Sequence, residues 1–223
     1  MHYKVQAMEN YKVKDFTFRH LFHQIVFIDL KSGGKGEALA MLDGKFELSE
    51  DANGVLCYGY IDYENGFTFE VLATAFVEDG KISLNKGNDK VSYKMRMSSV
   101  NDCDVFILDK KAMNFSAFDQ KIAIIDNAFK TDNNAVDRLR CMTELDGCRS
   151  REFPDDVIVY LAKNGVKPES AWVRCMGYDD ENKKIVGKLL TEPNSVFNRH
   201  IDDEISFVIA KNGEDLVCIC VLN

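Results

Sequence analysis

The chain has 223 residues, 46% of them apolar, and a formal charge of −8 at pH 7, enough to bury one large core or two small ones and too apolar for a disordered chain. The acidic balance, with a pI near 5.1 and no basic stripe, repels a phosphate backbone and argues against nucleic acid as partner. No apolar run approaches the roughly 18 residues that cross a bilayer, the start lacks the apolar stretch of a secretory signal, and the seven cysteines follow no disulfide spacing. The expected setting is therefore the cytoplasm, with free thiols and no membrane contact.

In chain order, the first half reads as strands separated by turns. Asp43-Gly44, Asn53-Gly54, Asn65-Gly66 and Asp79-Gly80 are hairpin punctuation, because these pairs accept the positive φ of tight reversals. The strands expected are Gln24 to Leu30, Glu37 to Leu42, Lys45 to Leu48, Val55 to Tyr63, Phe67 to Val77, Lys81 to Leu84, Lys90 to Met97 and Asp104 to Leu108. No Pro occurs before position 154, so nothing interrupts a ladder here, and the stretch predicts an antiparallel meander, curled or partly closed.

The middle of the chain changes period. Phe118, Ile122, Ile125 and Phe129 share a helical stripe over 116–129, and Val136, Leu139, Met142 and Leu145 do so over 134–146, with Asn133 or Asn134 as cap and Gly147 as left-handed stop. Strand character then returns at Val157 to Leu161, although Pro154-Asp155-Asp156 could also open a short helix. Asn164-Gly165 turns the chain, Lys167 to Ser170 reads as a loop, and strands follow at Trp172 to Tyr178, Lys184 to Leu190, Glu204 to Ile209 and, after Asn212-Gly213, Leu216 to Leu222. The expected architecture is α+β: a β-rich antiparallel domain over 1–112, then two central helices and a small α+β module over 113–223.

Candidate chemistry is sparse. His20 and His23, three apart, would point at one metal on a helix and at opposite faces on a strand; two ligands do not make a zinc site, so a structural or solvated role is expected. Cys218 and Cys220 flank Ile219 on one strand face and read as core packing, with no second thiol pair at ligand spacing. Ser32 to Gly36 lacks the ending of a phosphate loop and reads as a hairpin loop. Asp155-Asp156, Asp179 to Glu181 and Asp202 to Glu204 lack calcium-loop spacing and read as solvated strand ends. No catalytic residue, metal or cofactor is assigned.

The last quarter is more specific. Trp172 and Arg174 share a strand face, Pro193 holds Glu192 extended, and a bidentate bridge from Arg174 to Glu192 would tie the module together. Trp172-Val173, Gly187-Lys188-Leu189-Leu190-Thr191-Glu192-Pro193 and Asp203-Glu204-Ile205-Ser206-Phe207 together resemble the bacterial domain-of-unknown-function family 2314. Its pattern is a Trp-Val strand, Gly-x-Leu-x-x-Glu-Pro and Asp-x-Ile/Val-x-Phe. The similarity covers about residues 150–210 and leaves the first half unmatched. It implies a small α+β module of a bacterial cytosolic protein of the kind that docks partners or neutralises toxins, and it carries over no catalytic residue.

The expected function is non-catalytic binding of a protein partner through Trp172, Arg174 and Glu192, a basic toxin drawn by the acidic charge being the partner class that fits. The alternatives are a small-molecule enzyme using His20, His23 and nearby carboxylates, and an apolar ligand held in the β-rich half.

Overall fold

The computed structural model describes residues 11–78, 81–109, 113–131 and 134–222, and the backbone of 2–4. It comprises two compact units, Met1–Lys130 and Thr131–Asn223. The composition change near residue 112 and the Asp79-Gly80 turn lie outside the described residues, as does Asn133. The first expected helix lies in the first unit, where the sequence reading had placed it with the second half.

The first unit is built on strands β1 (His2–Lys4), β2 (Ile25–Asp29), β3 (Gly54–Asp62), β4 (Gly66–Glu78), β5 (Lys81–Leu84), β6 (Lys94–Arg96) and β7 (Asp104–Ile107), with helices α1 (Phe18–Leu21), α2 (Gly36–Ala40) and α3 (Asp119–Ala128). All ladders are antiparallel, in the order β1-β5-β4-β3-β2-β7, with β6 on the edge of β4. The α+β expectation and the curled antiparallel sheet are observed. At the β3–β4 reversal Gly66 adopts φ +79°, and the Asp62 carboxylate accepts from the backbone N–H of Glu64 and Asn65, both at 3.1 Å.

All nine residues of β3 are buried, because the sheet is covered on both faces. Val55, Cys57 and Ile61 face one core, with Val26, Ile28 and Phe69. Leu56, Tyr58 and Tyr60 face another, which α3 closes with Ile125 and the turn before it with Phe115 and Phe118. Within this packing sits a buried ion pair. The Lys121 ammonium donates to the Val71 and Val91 carbonyls at 2.8 and 2.7 Å and lies 3.2 Å from Glu70.

Three expectations fail here for identifiable reasons. The expected strand 37–42 is instead helix α2 followed by a turn at Met41 and Leu42, because the buried residues Leu39 and Leu42 continue to Phe46 at helical spacing and Glu37-Ala38-Leu39-Ala40 are strong helix formers. Asn53-Gly54 is no reversal: it opens β3, and glycine is needed there because a Cβ would meet the Ile28 carbonyl at 2.2 Å. Lys45 to Leu48 forms no strand, and Phe46 contributes a single bridge to Asp43.

The second unit contains α4 (Asn134–Cys141), a 3-10 segment Thr143–Cys148, and strands β8 (Asp156–Lys163), β9 (Val166–Asp179), β10 (Lys184–Leu189), β11 (Glu204–Asn212) and β12 (Asp215–Leu222). The five strands form a closed barrel in the order β10-β11-β12-β8-β9. Four contacts are antiparallel, and β12 closes on β8 in parallel, as a closed up-and-down run of odd strand number requires. Period-two alternation fills the interior with Val157, Val159, Val173, Phe207, Cys218 and Cys220.

The expected helix over 134–146 stops at Cys141, and Gly147 lies inside the 3-10 segment rather than at a left-handed stop. The tighter turn lets both Leu139 and Leu145 reach the barrel core. The expected loop Lys167 to Ser170 is part of β9. Pro168 is tolerated because the β8–β9 register shifts between Leu161 and Lys163, where no ladder donor is required of it.

Candidate functional site

A closed barrel has no backbone edge to lend to a partner strand, so recognition by the second unit falls to its side chains. That face is apolar where alternation normally places polar residues. Across β11, β12 and β8, Val208 stands opposite Ile219 and Ile219 opposite Tyr160; Ala162 stands opposite Val221, and Ile158 opposite Trp172 on β9. Tyr160, Trp172, Val208 and Val221 are 40%, 37%, 37% and 74% exposed. The register makes them one contiguous stripe, which is the arrangement of a contact surface, whereas isolated exposed apolar residues carry no such meaning.

Trp172 is held on a rigid backbone. Its N–H donates to Thr191 Oγ1 at 3.1 Å and its carbonyl accepts from Leu190 N–H at 2.8 Å. Arg174, on the same strand face, is bidentate to Asp156 at 2.7 and 3.0 Å, directly opposite it in the β8–β9 register.

The bridge expected from Arg174 to Glu192 is thus replaced by one to Asp156. Glu192 serves the β10–β11 connection: one oxygen lies 2.7 Å from His200 Nδ1 and the other accepts Ile201 N–H at 2.9 Å. The Ile201 N–H and then the His200 imidazole hold the Glu192 carboxyl below its ordinary 4.5, while the Glu192 hydrogen bond raises His200 above 6.5. Of the three residues singled out in the sequence, Trp172 lies on the apolar stripe, Arg174 is tied beside it, and Glu192 shapes the adjoining loop.

The other candidates fall elsewhere. His20 Nδ1 lies 2.9 Å from Thr17 Oγ1 and tethers the start of α1. His23, at φ +56°, places Nδ1 2.6 Å from Tyr58 Oη and 3.2 Å from Asp126, and Tyr58 donates to Asp126 at 2.7 Å. The two histidines serve different partners. Asp126, on the α3 face, carried no sequence signal as a partner of His23, since 103 positions separate them. Burial first, and then the Asp126 hydrogen bond, push the Tyr58 phenol far above its ordinary value.

Cys218 and Cys220 both point into the barrel core, where burial raises both thiols. The acidic clusters act locally: Asp155 holds Arg140, Asp156 holds Arg174, and Asp179 accepts from the N–H groups of Glu181 and Asn182. Among the described residues no group of three or more His, Cys, Asp or Glu is placed to hold a metal ion, and no helix is long and apolar enough to cross a membrane.

No protein-family model, no curated protein and no solved structure matches this chain.

Proposed function

We propose that the protein is a non-catalytic, partner-binding protein of the bacterial cytosol, and that its docking surface is the outer barrel face carrying Tyr160, Trp172, Val208 and Val221. The contiguity of that stripe carries the reading. Its members are exposed on a barrel whose interior is filled by other residues, and their exposed apolar area costs solubility unless something covers it. Aromatic anchors on rigid strands lose little conformational entropy on binding, which is the character of residues that dominate interfaces.

The formal charge of −8 favours a basic partner by steering encounter. A basic toxin fits that chemistry, and an immunity-like role is what the resemblance of residues 150–210 to family 2314 would imply.

The test uses the full chain as bait in native lysate of its host. Wild type is expected to recover a stoichiometric basic protein whose retention weakens as salt rises. Tyr160→Ser with Trp172→Ala is expected to lose that protein while keeping the thermal midpoint within a few degrees. Recovery of no stoichiometric protein, or its equal recovery by the variant, defeats the reading.

A further inference from the structure

The first unit contains an open cleft of about 410 Å³, lined by Ile25, Met113, Asn114, Phe115, Ser116, Asp119 and Ile122. The volume falls within the range of roughly 300–1,000 Å³ that small-molecule sites occupy. Its walls are apolar and polar in about equal measure. Ile25, Met113, Phe115 and Ile122 supply an apolar lining, and the polar groups converge on one stretch, Asn114, Ser116 and Asp119.

Among the described residues the Asp119 carboxylate has no hydrogen-bonding or ion-pair partner. Asp126, Asp62, Asp102 and Asp104 are engaged with Tyr58, Asn65, Lys14 and Lys12, whereas Asp119, like the exposed Glu37, Glu50, Asp51, Glu64 and Asp89, is left to solvent; what sets Asp119 apart is its place in the cleft wall. We infer that the cleft binds a small organic cation, a primary amine on an apolar body, with Asp119 as its counter-ion.

The competing ligand classes fail on charge and geometry. Asp119 is the first residue of α3, where the helix end contributes roughly half a positive charge; set against a full carboxylate, the site stays negative and disfavours an anion. A hard divalent cation needs several oxygens converging at short distance, and the lining offers one carboxylate, the Asn114 amide oxygen already accepting from the Ser116 N–H at 2.9 Å. A neutral apolar ligand would cover the carboxylate without replacing its water, which costs free energy that an ammonium avoids by donating to it. The Phe115 ring in the wall adds a surface on which either an aromatic body or the cation itself can rest. The inference is independent of the barrel face, which lies in the other unit.

The test is titration of the full chain with 2-phenylethylamine, 2-phenylethanol and 3-phenylpropanoate, three ligands with one body and different heads, followed by methyl NMR of the isoleucines. The amine is expected to bind at least about tenfold more tightly than either control, as a charge-assisted hydrogen bond would provide. The largest shifts are expected at Ile25 and Ile122. Asp119→Asn, at an exposed position, is expected to bring the amine to the level of the alcohol. Equal binding of all three, no binding of the amine at millimolar concentration, shifts away from Ile25 and Ile122, or a preference that survives Asp119→Asn would each overturn the assignment.

Discussion

Replacing Asp155 by Ala tests the electrostatic tie that holds α4 to the barrel unit. Arg140 Nε and one terminal nitrogen donate to the two Asp155 oxygens at 2.8 and 2.6 Å, and both side chains are only 7% exposed. Asp137 lies 3.3 Å from the other terminal nitrogen but is 55% exposed, too solvated to compensate. Removing one partner of a buried pair strands the other charge, at a cost of about 3–5 kcal/mol.

With a urea slope of roughly 1.5 kcal/mol/M, a loss of about 3 kcal/mol lowers the midpoint by about 2 M. The assay is Trp172 fluorescence in urea. Trp172 is the sole tryptophan and lies in the second unit, so its signal reports that unit. The double variant Arg140→Met with Asp155→Ala removes both charges and should be more stable than Asp155→Ala alone. A single-variant cost below about 1 kcal/mol would mean that the pair is effectively solvated, and would refute the reasoning.

Three further outcomes follow from the same geometry. His200 should titrate above 6.5, and Glu192→Gln should return it to the ordinary value, as read by imidazole NMR. Because the folded pKa of His200 is raised and that of Glu192 depressed, the pair's contribution is present between about 4.5 and 6.5 and fades as pH rises through the folded His200 value or falls through the folded Glu192 value; a stability profile unchanged by Glu192→Gln across that window would contradict it. Gly187→Ala should cost about 1–3 kcal/mol in urea unfolding, since a Cβ would lie 2.6 Å from the Arg174 carbonyl; a neutral substitution would show that the β9–β10 contact yields. In the native protein a thiol reagent should modify Cys141 first, because it is exposed while the other six are buried and burial pushes Cys175 up to about 12; rapid reaction of several thiols would show that the cores open readily.

Local pattern made much of the fold legible. Asn65-Gly66 between two alternating runs identified the β3–β4 hairpin, and the β-branched and aromatic content of Val157 to Leu161 and the apolar run Leu216 to Leu222 identified two strands of the second unit. Closure was not legible, because the parallel pairing of β8 with β12 joins residues about 60 positions apart and leaves no local trace. The same applies to the site. Trp172 and Arg174 were placed on one strand face by period alone, but the partner of Arg174 depended on the β8–β9 register, which sets Asp156 opposite it. Helix α2 was misread because alternating Ala38-Leu39-Ala40-Met41 fits a strand, and only Leu42 and Phe46 continue its buried face at helical spacing. Lys121, at the border of the apolar stripe of α3, carried no sequence signal as a buried residue, because the Val71 and Val91 carbonyls that receive it are brought together by tertiary packing.

The most direct test of the docking surface is site-specific photo-crosslinking in the native host. With p-benzoylphenylalanine in place of Tyr160, a single discrete protein adduct is expected. The same group at Lys183, in the β9–β10 turn away from the stripe, should give none. Absence of an adduct at position 160, or an identical adduct at position 183, would contradict recognition through the apolar barrel face.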